Sequence, residues 1–94
     1  MEESAIRQMW ARRGFNCGVW TDPPGQVWEG YAHATDELVC LLAGEIEVEL
    51  QGRKVRPKPG DEVLIPAGVT HTVRNPGKAP NRWCFGYARQ QPRG

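Results

Sequence analysis

The 94-residue chain carries two histidines, His33 in "EGYAHATDELVC" and His71 in "PAGVTHTVRN". A carboxylate, Glu37, follows His33 by four residues, and a tyrosine, Tyr31, precedes it by two. Two imidazoles and one carboxylate, with coordination positions left open, form a facial site for non-haem Fe(II), and the same set suits Mn, Ni, Co or Zn. The carboxylate neutralises part of the cation's charge and the imidazoles give directional nitrogen donors. The open positions admit water, dioxygen or the oxygen atoms of a substrate. This chemistry needs residues far apart in sequence to meet, so it depends on the elements that carry them.

Those elements are mostly short strands. Only "EESAIRQMWARRG" has a helical pattern, with Ile6, Met9 and Trp10 at i, i+3 and i+4 and Gly14 as a stop. From Phe15 onward, apolar runs alternate with Gly- and Pro-rich turns. Strands are expected at "NCGVW", "QVWEGYAHA", "ELVCLLA", "EIEVEL", "EVLIP", "THTVR" and "RWCFGYA", and turns at "TDPPG", "QGRK", "PKPGD" and "NPGKAPN". Eleven Gly and eight Pro against 39% hydrophobic residues support the same all-β plan, a sandwich or barrel. The expected organisation is a helical segment at 1–14, a β domain at 15–89 and a frayed tail at 90–94.

The strands differ in their faces. In "EIEVEL", Ile46, Val48 and Leu50 alternate with Glu45, Glu47 and Glu49, so the glutamates are expected to face water. "ELVCLLA" is apolar on both faces, with Val39 and Leu41 sharing the parity of Glu37 and Leu38, Cys40 and Leu42 on the other side. Something must cover that second face, either a second copy of the chain, which we expect, or the N-terminal helix with Trp10. Gly44 and Gly52 supply the positive φ of tight hairpins, Pro66 ends a strand, and Asn75 can bond the nearby backbone of its loop.

Composition excludes several classes. The chain is long enough for one domain with one core. Twelve basic and eleven acidic residues, well mixed, give no field that would steer nucleic acid or an acidic membrane surface. No apolar stretch approaches the roughly 20 residues that cross a bilayer, and no charged-then-apolar leader opens the sequence. A cytoplasmic protein is expected. Cys17, Cys40 and Cys84 are odd in number and widely spaced, as suits buried small hydrophobes better than a redox pair or a cysteine zinc site.

Two spaced motifs carry a resemblance. Gly25 is followed by five residues and Tyr31, then one and His33, three and Glu37, six and Gly44. Gly60 is followed by five residues and Pro66, then one and Gly68, two and His71, three and Asn75. The chain resembles the cupins, whose two motifs share these spacings, with Tyr31 standing where the first motif has its first histidine. The resemblance covers Gly25 to Asn75 and implies a double-stranded β-helix, or jelly-roll, barrel. It implies His33, Glu37 and His71 as ligands of a divalent transition metal, Fe, Mn, Ni or Zn.

Tyr31 is open to three roles, in this order: an aromatic wall of the pocket, a catalytic acid or base beside the metal, and a phenolate ligand. Some cupin lyases use a tyrosine near the metal. Glu29 shares the strand parity of Tyr31 and His33 but is expected at solvent, and Asp36 is expected to point away and be solvated. Trp83, Phe85 and Tyr87 alternate as core or pocket lining, while Trp28, of opposite parity to Tyr31, is expected outside with Leu38, Cys40 and Leu42. Since cupins include both enzymes and binding modules, two functions stay open. One is a metal-dependent enzyme acting on a small polar metabolite, and the other is a non-catalytic ligand-binding or sensor module.

Overall fold

The computed structural model describes residues 2–89. The tail at 90–94 lies outside the described residues. A helix, α1 (Glu3–Arg12), precedes eight strands: β1 (Gly18–Asp22), β2 (Val27–Tyr31), β3 (Glu37–Ala43), β4 (Glu47–Leu50), β5 (Arg53–Val55), β6 (Glu62–Ile65), β7 (His71–Arg74) and β8 (Asn81–Tyr87). They form two four-stranded antiparallel sheets, ordered β1-β8-β3-β6 and β2-β7-β4-β5. The core lies between them: Val39, Leu41, Ile65 and Trp83 from the first sheet meet Val48 and Val73 from the second, with Ile46 beside them. This is the expected all-β barrel, since sheets with one apolar face each bury those faces against each other.

The second apolar face of β3 is covered by the chain itself. Ile6 and Trp10, one turn apart on α1, pack on Leu38, Cys40 and Cys84, so of the two expected covers the helix supplies this one. Gly86 makes room for Trp10, because a Cβ there would lie 2.8 Å from the indole. Met9, expected on the buried stripe, is 41% exposed, because Ile6 and Trp10 alone make the helix's contact with the sheet's buried cluster. Gly14, at φ +83°, reverses the chain after α1, and the Phe15 N–H closes onto the Trp10 carbonyl at 2.8 Å. Glu62 on β6 then latches the helix. Its Oε1 accepts the Trp10 indole N–H at 2.9 Å, and Arg13 forks onto both its oxygens at 2.8 and 3.0 Å.

Three readings of the strands need correction. The residues after "QG" form a strand, β5, rather than passing from turn to turn. Gln51 and Gly52, at φ +51° and +75°, make a two-residue turn that sets Leu50 opposite Arg53. Glu47 is only 6% exposed, not turned to water. Arg56 and Arg74 lie over it, each donating to one of its oxygens at 3.0 Å. Loss of water pushes its carboxyl up, and the two guanidinium groups more than offset this and hold it below the ordinary glutamate value. Trp28, expected outside, faces the interior. Glu29 and Gly30 together stand opposite the single residue Thr72, and Gly30 has φ +76°. This bulge adds one residue to β2, so Trp28 and Tyr31 share a face that strict alternation would deny them.

One end of the barrel is tied by three buried polar side chains. Asn75 donates to the Asp22, Pro23 and Ala79 carbonyls and accepts the Gly77 N–H, joining the loop after β1 to the loop after β7. Asn81 donates to the Glu45 carbonyl and accepts the Asp22 N–H. The Asp22 carboxylate, 1% exposed, accepts the indole N–H groups of Trp28 and Trp83 at 3.0–3.1 Å. These groups satisfy one another where water cannot reach.

Two outcomes follow. Asp22→Asn can keep a carbonyl oxygen at the Oδ2 position, which both indoles reach, only by turning its N–H₂ toward the Trp28 N–H in place of Oδ1, and should cost about 1–3 kcal/mol in urea unfolding; an unchanged midpoint would mean the indoles do not depend on the second oxygen. Glu62 is held below the ordinary glutamate value, first by the Arg13 hydrogen bonds and then by that of Trp10, against the opposing effect of burial. A depressed carboxylate contributes stability above its unfolded pKa and loses it as pH falls through the folded value. Thermal melting of Glu62→Gln should therefore show a deficit at pH 7 that shrinks below about pH 4.5, whereas a deficit constant from pH 7 to pH 3 would count against the ion pair.

Candidate metal centre and aromatic pocket

His33, Glu37 and His71 come from three separate places. His33 lies in the loop after β2, not within the strand as its alternation implied. Glu37 opens β3 opposite Ile65 and Tyr87, and His71 opens β7 opposite Tyr31 and Leu50. The loop of His33 is fastened to the turn that precedes His71. The His33 carbonyl accepts the Gly68 N–H at 2.8 Å, and the Asp36 carboxylate accepts the Ala67 N–H at 2.8 Å. Asp36, expected in solvent, thus bonds the backbone of the facing turn.

The three side chains converge. Their ligand atoms lie within 4.8 Å of one another. His71 Nε2 and His33 Nε2 stand 3.1 and 3.4 Å from the same atom, Glu37 Oε1. His71 Nδ1 faces the Val69 carbonyl at 3.1 Å, which can only accept; a proton placed on Nδ1 leaves Nε2 free to ligate. Oε1 is buried and accepts no hydrogen bond. Burial alone pushes the Glu37 carboxyl up to about 7. Burial, and then His71, pushes His33 down, which favours its neutral, electron-donating form. Metal–ligand lengths of about 2.0–2.2 Å place neighbouring ligand atoms roughly 3.0–3.5 Å apart. Lone pairs that meet at this spacing without a donor fit a cation between them.

Beside this cluster opens a cavity of about 230 Å³. Its walls are a chain of rings: Trp20 edge-on to Trp28 at 5.9 Å, Trp28 to Tyr31 at 6.5 Å, and Tyr31 stacked on His33 at 6.4 Å. From His33 the series runs to Tyr87 at 4.8 Å, Phe85 at 6.2 Å and Trp83 at 5.7 Å. Trp83 and Trp28 then meet at Asp22, which closes the belt. Tyr31 is thus part of the wall, 46% exposed, and Glu29 lies outside the cavity at solvent. Trp83, Phe85 and Tyr87 line it, as their alternation predicts. Burial, and then the Glu37 charge, holds the Tyr87 hydroxyl above the ordinary tyrosine value and so protonated. Two contributors escape sequence reasoning, Trp28 because of the bulge and Asp22 because its donors come from distant strands.

Comparison with known proteins agrees with this geometry. The Tetracenomycin polyketide synthase protein TcmJ of Streptomyces glaucescens is 28% identical over 83 residues, 88% of this chain, and the chain spans 56% of that relative's length. The fold superposes on the DMSP lyase DddQ of Ruegeria pomeroyi DSS-3 with a TM-score of 0.72 and 26% identity, covering 86% of this chain and 41% of that one. It also superposes on the cupin domain of an XRE-family transcriptional regulator from Enterobacter cloacae, with a TM-score of 0.75, 21% identity and coverage of 87% and 90%. The family profile described as "Cupin domain" matches residues 18–87, which hold both spaced motifs, both sheets and the His33–Glu37–His71 cluster, and the chain belongs to that family.

Proposed function

We propose that His33, Glu37 and His71 hold one divalent transition ion, Fe, Mn, Ni or Zn, and that the chain is a metal-dependent cupin enzyme acting on a small molecule in the adjoining pocket. One observation carries this reading: two imidazole nitrogens, from a loop and from β7, stand at a buried carboxylate oxygen of β3 that accepts no hydrogen bond. When bound, the ion would supply Lewis acidity or oxygen activation at its open positions. The chain's own residues do the rest. The Val69 carbonyl fixes the His71 ring, the aromatic belt orients the ligand and excludes water, and Tyr87 holds a proton at its hydroxyl beside His33. Tyr31, stacked on the other side of His33, serves first as wall and second as an acid or base.

Turnover is favoured by the kinds of relatives. One is named as a polyketide synthase protein and another as a DMSP lyase. A binding module without turnover is the second reading, supported by the open mouth, where Trp20 and Tyr31 stay 45% and 46% exposed.

Elemental analysis of the purified chain should find about one equivalent of a transition metal, and His71→Ala should lose most of it. Tyr31→Phe should keep the metal, since a wall or a proton donor is not a ligand. Absence of metal from the unaltered chain after reconstitution would overturn the proposal, and loss of metal from Tyr31→Phe would make the tyrosine a ligand.

A further inference from the structure

We infer that the pocket takes a flat, ring-bearing, uncharged ligand of about two fused rings, with an oxygen pair turned toward His33, Glu37 and His71. The oxygen end rests on the metal reading above, while the ring end rests on the walls alone.

The walls offer faces and little else. Seven of the ten lining residues, Trp20, Trp28, Tyr31, Val73, Trp83, Phe85 and Tyr87, are aromatic or aliphatic, and the other three are the metal cluster. Among the described residues, no lysine or arginine lines the cavity. A phosphate, or a carboxylate away from the metal, would therefore be desolvated with nothing to neutralise it. The indole N–H groups of Trp28 and Trp83 are spent on Asp22. Those two rings present carbon to the cavity, so a sugar would lose the hydrogen bonds of its hydroxyls to water and regain few. This is the second role of Asp22: it turns two amphipathic side chains into apolar walls. Flat rings suit such a belt, because offset and edge-to-face contacts add to simple burial. The size follows from the volume. An apolar cavity of about 150 Å³ accommodates benzene, and the roughly 230 Å³ here leaves room for a second ring sharing an edge. The half-exposed Trp20 and Tyr31 at the mouth allow substituents to run outward. Aromatic walls also attract cations, but a cationic ligand would be repelled by a dication whose only anionic protein ligand is Glu37.

The test is calorimetric titration of the full chain, both metal-loaded and chelator-treated, with four probes. Naphthalene-2,3-diol has the rings and the oxygen pair. Cyclohexane-1,2-diol has the oxygens without the flat ring, 2-oxoglutarate is a charged chelator, and phenyltrimethylammonium is an aromatic cation. Naphthalene-2,3-diol should bind the loaded chain at least about tenfold more tightly than each of the others, given the energy of aromatic contacts. It should also bind more tightly than cyclohexane-1,2-diol and 2-oxoglutarate, though more weakly than before, in the chelator-treated chain. Trp20→Ala, at a half-exposed position, should weaken it about three- to tenfold while leaving metal content unchanged. Equal or tighter binding of cyclohexane-1,2-diol, 2-oxoglutarate or phenyltrimethylammonium, or no binding of naphthalene-2,3-diol, would overturn the inference. If the chain takes up no metal, the metal reading fails by itself, and the ranking of naphthalene-2,3-diol against cyclohexane-1,2-diol in the chelator-treated chain still decides the ring end.

Discussion

Two indole N–H groups, one from each sheet, end on the same buried carboxylate. Asp22 sits on β1, Trp83 faces it from the neighbouring β8, and Trp28 reaches it from β2 in the opposite sheet. Among the described residues no cation pairs with Asp22, so its charge is held by these donors. Such an arrangement tolerates little movement, because a ring that swings away leaves a buried N–H unserved. Each later ring in the belt is set by the one before it, and His33 is a member of the series. The His33–Glu37–His71 cluster is therefore positioned from two directions, by packing through the rings and by the hydrogen bonds that tie its loop to the turn at Pro66–Gly68.

Much of this could be read in the residues because the determinants were local. The spacing of His33, Glu37 and His71 needed only type and interval. The two-sided apolarity of β3 announced that both faces were covered, and the cover offered by Trp10 was one of the two expected. What escaped was set by partners remote in sequence. Glu47 looks like any outward glutamate in an alternating strand, and only the approach of Arg74 from β7 and of Arg56 from beyond β5 makes its burial tolerable. Asp36 looks solvated until the Ala67 N–H arrives from the facing turn. Trp28 was misplaced for a different reason. Alternation assumes an unbroken pleat, and a single glycine at positive φ reverses every inference on its far side.

The composition of the pocket contrasts with its floor. The floor gathers three polar ligand groups, and the walls are rings. The chain therefore combines a hard, directional anchor with a soft, shape-selecting enclosure. In such a site charge fixes the position of a few ligand atoms, and the enclosure decides which molecules can bring those atoms there.

The helix has a consequence for where the domain begins. The family match starts at Gly18, yet the apolar accounting of the first sheet starts at Ile6. A protein cut at the edge of the recognised domain would retain every motif residue and both sheets, but it would present Leu38, Cys40 and Cys84 to water as a contiguous sticky face. The unit that can be recognised in sequence and the unit that covers its own apolar surface are therefore not the same length.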